Sequence, residues 1–154
     1  MIPLKTEYSL NSGYPIVRRT LQDKKNLVKK PGFGPESCCA VVEYELRGNI
    51  RYAFGNSQMH ISVPPRIYRH DWVKMHGEMA ALCVAIERME RFSTDDDVLK
   101  LNSIKRVYIE LQPCRDKCMP ALRNIVPNAE VYYSFDHPTQ VDEWKLRARE
   151  LCNV

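Results

Sequence analysis

Four side chains in two short stretches of the chain could together perform metal-assisted hydrolysis. The first stretch contains His76 and Glu78, and the second contains Cys114 and Cys118. A catalytic zinc ion takes three protein ligands such as imidazole and thiolate, and it keeps a fourth position open. His76, Cys114 and Cys118 are therefore predicted to bind Zn²⁺, which leaves Glu78 free to move protons.

Both stretches lie where a helix is predicted to begin, and this position suits thiolate ligands. Unpaired N–H groups and the helix dipole stabilise negative charge at a helix start. Three residues separate Cys114 from Cys118, and two arrangements fit this spacing. Both cysteines could lie on one face of a single helix, or residues 115–117 could form a small turn before a helix with Pro120 in its first turn. We expect the second arrangement, because Pro120 would be costly inside a helix.

The order His-x-Glu followed by Pro-Cys and a second Cys resembles the signature of the zinc nucleobase deaminases. The departure is the cysteine spacing, since this chain has three residues between the cysteines and the signature has two. The resemblance implies that His76, Cys114 and Cys118 are zinc ligands and that Glu78 is the catalytic acid–base. The same residues would also suit a purely structural zinc site, or a hydrogen-bonded histidine with two core thiols and no metal.

Hydrophobic periodicity places these stretches in a series of strands and helices. Strands rich in β-branched and aromatic residues are predicted at 39–46, 50–54, 104–111 and 129–135. Helices are predicted at 15–30, 76–92, from 114 or 120 to 125, and 140–152. The alternation implies parallel pairing, with helices packed on the sheet.

The predicted fold class is therefore α/β. It matches a cytidine deaminase-like three-layer α/β/α sandwich, with a mixed sheet of four to five strands, a leading hairpin and helices on both faces. The pattern of the sequence indicates four of these strands and no fifth.

Length and charge predict one domain with a basic extension. The 154 residues, 44% of them hydrophobic, are enough for a single packed core. Residues 1–30 carry a net charge of +5 and the whole chain +4, so the remainder is close to neutral. The segment Pro-Gly-Phe-Gly-Pro at 31–35 breaks the chain. We predict a basic extension at 1–36, packed on the body, and a zinc deaminase domain at 37–154; the extension is either a solvated helix or an arm that follows phosphates.

The sequence also speaks against several other protein classes. It contains no apolar run of about 18 residues, so no membrane span is predicted, and it opens with no secretory signal peptide. The six cysteines lack the density and spacing of a small secreted scaffold. A reduced, cytosolic working environment is predicted, with ordinary core or surface roles for Cys38, Cys39, Cys83 and Cys152.

A narrower resemblance covers roughly residues 38–137. The stretches 76–82 and 110–114 and the strand 131–135 look like the deaminase domains of bacterial polymorphic toxins. This resemblance implies a monomeric toxin domain that converts cytosine to uracil in DNA, with single strands preferred. It also implies a secreted effector, without a signal peptide in this chain, that acts in the cytoplasm of a target cell and has an immunity protein as partner.

Deaminases that act on polymers need aromatic platforms and a basic path for the backbone. By resemblance, substrate-binding residues are predicted in the loop before the first zinc helix, at the end of the last strand and at the end of the hairpin: Arg69, Trp72, Tyr133, Phe135, His137 and Asn56. Packing is the alternative role for each of them, and Asn56 could be a simple turn residue. His60 and His70 are not predicted to be ligands, since three ligands are already present.

Other functions fit the same motifs. A free cytidine, deoxycytidine or nucleotide deaminase would have little use for the basic residues 1–30. A non-catalytic, zinc-stabilised nucleic-acid-binding module would have no need of Glu78. RNA and adenine remain alternative targets, because the metal chemistry is the same.

Overall fold

The computed structural model describes residues 1–59, 76–92 and 97–153 of the chain. These residues form the following strands and helices: β1 (Leu4–Lys5), α1 (Pro15–Val28), β2 (Cys39–Leu46), β3 (Asn49–Asn56), α2 (Gly77–Phe92), α3 (Asp97–Asn102), β4 (Ile104–Leu111), α4 (Cys118–Ile125), β5 (Glu130–Phe135) and α5 (Val141–Cys152). None of the helices in these ranges is long and apolar enough to cross a membrane.

One mixed sheet contains all five of these strands, in the order β1-β5-β4-β2-β3. Strand β2 is antiparallel to both β3 and β4, whereas β5 is parallel to β4 and to β1. The carboxyl ends of β3, β4 and β5 therefore lie at the same end of the sheet as the amino end of β2. The chain segments that adjoin these strand ends lie close together there.

Helices cover both faces of the sheet, so the predicted three-layer α/β/α architecture is confirmed. On one face, Met79 of α2 and Leu122 of α4 pack with Val42 in a single hydrophobic cluster. On the other face, Leu21 of α1 packs in a second cluster with Val41 and with residues of α5. Successive residues of a strand point to opposite faces, and the central strand β2 is accordingly apolar on both sides.

The predicted hairpin is confirmed, but its turn is shorter and its second strand longer than predicted. Leu46 pairs with Asn49 across a two-residue turn, in which Arg47 and Gly48 have φ values of +53° and +79°. Two consecutive positive φ values are typical of a type I′ turn, whose twist matches that of the flanking strands. Strand β3 therefore runs from Asn49 to Asn56, beyond the predicted bounds of 50–54.

Two short elements were not predicted from the sequence. Strand β1 pairs in parallel with β5, Leu4 opposite Tyr132, and supplies the fifth strand at one sheet edge. Helix α3 has six residues. Elements of this length show too few residues for a helical or strand period to be recognised. Residues 1–36 thus contribute an edge strand and helix α1 to the sandwich.

Candidate metal centre

The three predicted ligands come together at the end of the sheet that contains the amino end of β2 and the carboxyl ends of β3, β4 and β5. One ligand atom each from His76, Cys114 and Cys118 lies within 4.8 Å of the other two. His76 Nδ1 is 3.1 Å from Cys118 Sγ. These three residues form a group that could bind a metal ion.

Local backbone structure explains how each ligand reaches this point. The His76 carbonyl accepts a hydrogen bond from the Ala80 N–H at 2.9 Å and so opens α2. Cys114 follows β4, and its Sγ accepts a hydrogen bond from the Cys118 N–H at 3.0 Å.

The two cysteines do not share a helix. Residues 115–117 form a turn and α4 begins at Cys118, as the second of the two predicted arrangements requires. Pro120 lies in the first turn of α4, where backbone N–H groups have no helical partner and proline is tolerated. The turn accommodates the third intervening residue between the cysteines.

Glu78 is buried beside these ligands. Its side chain is 1% exposed, and its Oε1 lies 4.0 Å from His76 Nδ1. Within the described part of the chain, neither of its carboxylate oxygens has a hydrogen-bond partner. Burial raises the pKa of Glu78. Buried polar groups are almost always hydrogen-bonded, and an exception needs a physical reason such as catalysis or a bound ion.

The donor set fits a metal ion. One imidazole and two sulfurs are ordinary ligands of transition metals. Burial raises the pKa of the Cys118 thiol, and the neighbouring Glu78 carboxylate raises it further. A cation at this point would favour the charged forms of both Cys118 and Glu78, which burial disfavours.

A cavity of about 190 Å³ opens onto these residues. Its apolar wall comes from β4 and the segment after it: Ile109, Leu111 and Pro113. Its polar lining comes from segments next to the ends of β2, β3, β4 and β5 and from the candidate metal centre with Glu78. These residues are Cys38, Ser57, Gln112 and His137, and His76, Glu78 and Cys114. The Glu78 carboxylate therefore faces a small, partly apolar space.

Two glycines allow the start of α2 to lie directly against the hairpin. A Cβ atom on Gly77 would lie 2.8 Å from the carbonyl oxygen of Cys38, and one on Gly55 would lie 2.6 Å from the carbonyl oxygen of Gly77. Distances this short are steric clashes. Because these two positions have no side chain, His76 and Glu78 can lie close to β2 and β3.

The other predicted site residues have different positions. Arg69 and Trp72 lie outside the described residues, as do His60 and His70. His137 lines the cavity, and its N–H donates a hydrogen bond to Gln112 Oε1 at 3.2 Å.

The structure does not place Asn56, Tyr133 or Phe135 in the cavity lining. The buried Asn56 amide donates to Ser37 Oγ at 2.9 Å and to Cys39 Sγ at 3.0 Å. Tyr133 belongs to the core on the face of α2 and α4. Phe135 packs edge-on against Tyr8, with ring centroids 5.0 Å apart.

Sequence reasoning missed several residues of the cavity wall: Cys38, Ser57, Gln112 and Pro113. Gln112 and Pro113 belong to the second motif stretch, so they could have been included. Cys38 and Ser57 are brought together by the hairpin register, which also pairs Cys39 with Asn56. A strand-order prediction that placed the amino end of β2 beside the carboxyl end of β4 would have found them.

Comparison with known proteins found no matching family model, no matching curated protein and no matching solved structure. Any functional proposal therefore rests on this chain's own residues and their geometry.

Proposed function

We propose that this protein is a zinc-dependent hydrolytic deaminase that converts cytosine to uracil in nucleic acid, with single-stranded DNA as the preferred substrate. The observation that carries the proposal is Glu78. This buried carboxylate accepts no hydrogen bond from the described residues and lies 4.0 Å from a histidine that shares a possible metal site with two cysteines. Such a carboxylate is unfavourable for folding and useful for proton transfer.

Zinc is the metal that the ligands favour. His76, Cys114 and Cys118 would hold it, since imidazole and thiolate are its usual ligands and three protein ligands characterise catalytic sites. A zinc ion held there supplies the Lewis acidity that makes water a nucleophile near neutral pH.

Glu78 would move the protons of the reaction. A new bond forms between the water oxygen and the ring carbon that carries the exocyclic amine, the carbon–nitrogen bond breaks, and ammonia leaves. Glu78 would take one proton from the attacking water and give it to the ring nitrogen. It would then move the remaining proton of the new hydroxyl to the amine, which leaves as ammonia while the carbonyl forms. A carboxylate held beside the reacting water can act first as the general base and then as the general acid.

The size of the cavity favours a single base inserted from a longer molecule. Its volume of about 190 Å³ is below the range of roughly 300–1,000 Å³ that is usual for small-molecule pockets. A flat ring could pack on Ile109, Leu111 and Pro113, while Gln112 and His137 offer polar groups to its edge. Sugar and phosphate would remain outside, as they do when a base is turned out of its stack.

The direct test is turnover of a single-stranded oligonucleotide that contains one cytosine. We expect uracil, detected by uracil-DNA glycosylase cleavage and by mass spectrometry. The Glu78→Gln protein should retain its metal and lose activity by about 10²-fold or more, because positioned acid–base catalysis typically contributes about 10²–10⁴.

Glu90→Gln is the matched control, because Glu90 is an exposed carboxylate on the same helix, and this variant should keep full activity. Equal activity of the Glu78→Gln protein would overturn the proposal. Turnover of free deoxycytidine alone would instead assign the site to a nucleoside deaminase.

A further inference from the structure

A second concave surface lies at the other end of β3 from the cavity. It is a groove of about 480 Å³ between the β2–β3 hairpin, α1 and α2. Four of the residues that line it are arginines: Arg19, Arg47, Arg51 and Arg88. We call it the arginine groove.

Among the described residues, positive charge predominates in this groove, and no acidic side chain of these residues lines it. In the described ranges, Arg47, Arg51 and Arg88 make no ion pair, and Arg19 pairs only with Asp23, at 3.3 Å. Arg47 and Arg88 are oriented by neutral backbone carbonyls, those of Phe92 and Tyr52, each at 3.0 Å.

Aromatic and apolar side chains lie between these cations. Phe92 is 45% exposed and Ile50 is 51% exposed. The Arg19 guanidinium lies over the Tyr52 ring, 5.6 Å from its centroid. An adjoining groove of about 320 Å³ shares Arg19 and Arg88 and adds Lys30, together with Asp23, the partner of Arg19. The basic surface is thus an extended track.

We propose that the arginine groove binds the backbone of single-stranded nucleic acid, outside the site where a base reacts. Single-strand binders combine a basic groove for phosphates with aromatic platforms for bases, and the arginine groove has both. This proposal rests on the proposed nucleic-acid substrate. An acidic protein could pair with the arginines, but its carboxylates would make no stacking contact with the exposed Phe92 ring.

The distance between the two sites fits a polymeric ligand. Arg51 lines the groove and Ser57 lines the cavity, and the chain between them, largely strand β3, spans about 20 Å at a rise of about 3.3 Å per residue. A free nucleoside would not reach both sites, whereas a strand of several nucleotides would. The groove would therefore hold a long substrate while one of its bases enters the cavity.

The test is equilibrium binding of fluorescein-labelled oligothymidine, measured by anisotropy over a range of salt concentrations. A length of about 20 nucleotides exceeds the roughly 4–16 nucleotides of a common single-strand site. We expect Arg51→Ala/Arg88→Ala to weaken binding on the order of tenfold and to lower the salt slope by about 1.4, since each phosphate contact contributes about 0.7. The exposed pair Lys105→Ala/Arg123→Ala, outside the groove, is the matched control and should have little effect.

The Arg51→Lys/Arg88→Lys variant keeps both positive charges, so its salt slope of binding should stay close to that of the wild type. Comparison with the alanine variant thus separates an effect of charge from an effect of misfolding. Equal slopes for the groove variant and the control variant would overturn the proposal. Displacement of the oligonucleotide by poly-L-glutamate at equal charge would assign the groove to an acidic protein and also overturn it. Oligothymidine contains no cytosine, so these outcomes are independent of whether the protein is a deaminase.

Discussion

Two buried carboxylates, Glu78 and Glu110, differ in their hydrogen bonding. Glu78 has no hydrogen-bond partner among the described residues. Glu110 accepts hydrogen bonds from the Lys24 ammonium at 2.9 Å and from the Cys39 N–H at 2.8 Å, and from the Trp144 indole at 3.1 Å. The contrast is consistent with the proposed catalytic role of Glu78 and with a structural role of Glu110.

We predict that Glu110→Gln lowers the free energy of unfolding by about 3–5 kcal/mol, because it leaves the buried Lys24 charge without its partner. Urea denaturation measures this change. Glu43→Gln on the neighbouring strand is the comparison: Glu43 pairs with Arg106 at 2.8 Å, and Arg106 is 42% exposed. Glu43 is only 7% exposed, but because its partner reaches solvent we expect a smaller loss, closer to the value of about 0–1 kcal/mol for exposed pairs. Equal losses for the two variants would show that the Lys24–Glu110 pair has no special role.

At the scale of secondary structure, the metal centre depends on how closely α2 approaches the hairpin. Glycine at position 55 makes this approach possible, because a Cβ there would lie 2.6 Å from the Gly77 carbonyl oxygen and 2.8 Å from the Ala80 carbonyl carbon. These are backbone atoms at the start of α2, so they cannot move away by a side-chain rotation.

We predict that Gly55→Ala destabilises the protein by about 1–3 kcal/mol, the usual cost of overpacking, and that it weakens metal binding by displacing His76. Thermal unfolding and metal titration measure the two effects. Gly13→Ala is the control, since a Cβ at Gly13 would have no neighbour within 4 Å in the described part of the chain. An unchanged melting temperature for Gly55→Ala would mean that α2 is not held in this way.

Elements with a full hydrophobic period could be predicted from the sequence, and short ones could not. The bounds of β2 and β4 agree with the prediction, and the predicted α2 differs from the observed helix by one residue. Strand β1 has two residues, and only its pairing with β5 gives it a strand conformation.

The same division applies to the site residues. The metal-ligand group could be predicted because His76, Cys114 and Cys118 have distinctive chemistry. The cavity wall depends on strand order, which the sequence does not specify, so Cys38 and Ser57 could not be predicted. The resemblance that points to Asn56, Tyr133 and Phe135 contains no information on how these side chains pack.

At the scale of the whole molecule, the cavity and the arginine groove lie at opposite ends of β3 and α2. Helix α2 begins beside the candidate metal centre and ends at Phe92, where the groove begins. Its 16 residues span about 24 Å at about 1.5 Å per residue. The same two elements thus hold both sites in a fixed relation, which suits a single long ligand. A secreted effector and an immunity partner stay predictions from the motifs.

The most direct test of this account is the metal content of purified protein, measured by inductively coupled plasma mass spectrometry. We predict about one zinc per chain in the wild type and in Glu78→Gln, as expected of a site with three protein ligands and a separate catalytic carboxylate. Cys118→Ala should lose most of its zinc, whereas Cys83→Ala, which removes a buried thiol outside the ligand group, should retain it. A wild-type protein without bound metal, or a Cys118→Ala protein with as much zinc as the wild type, would contradict the account.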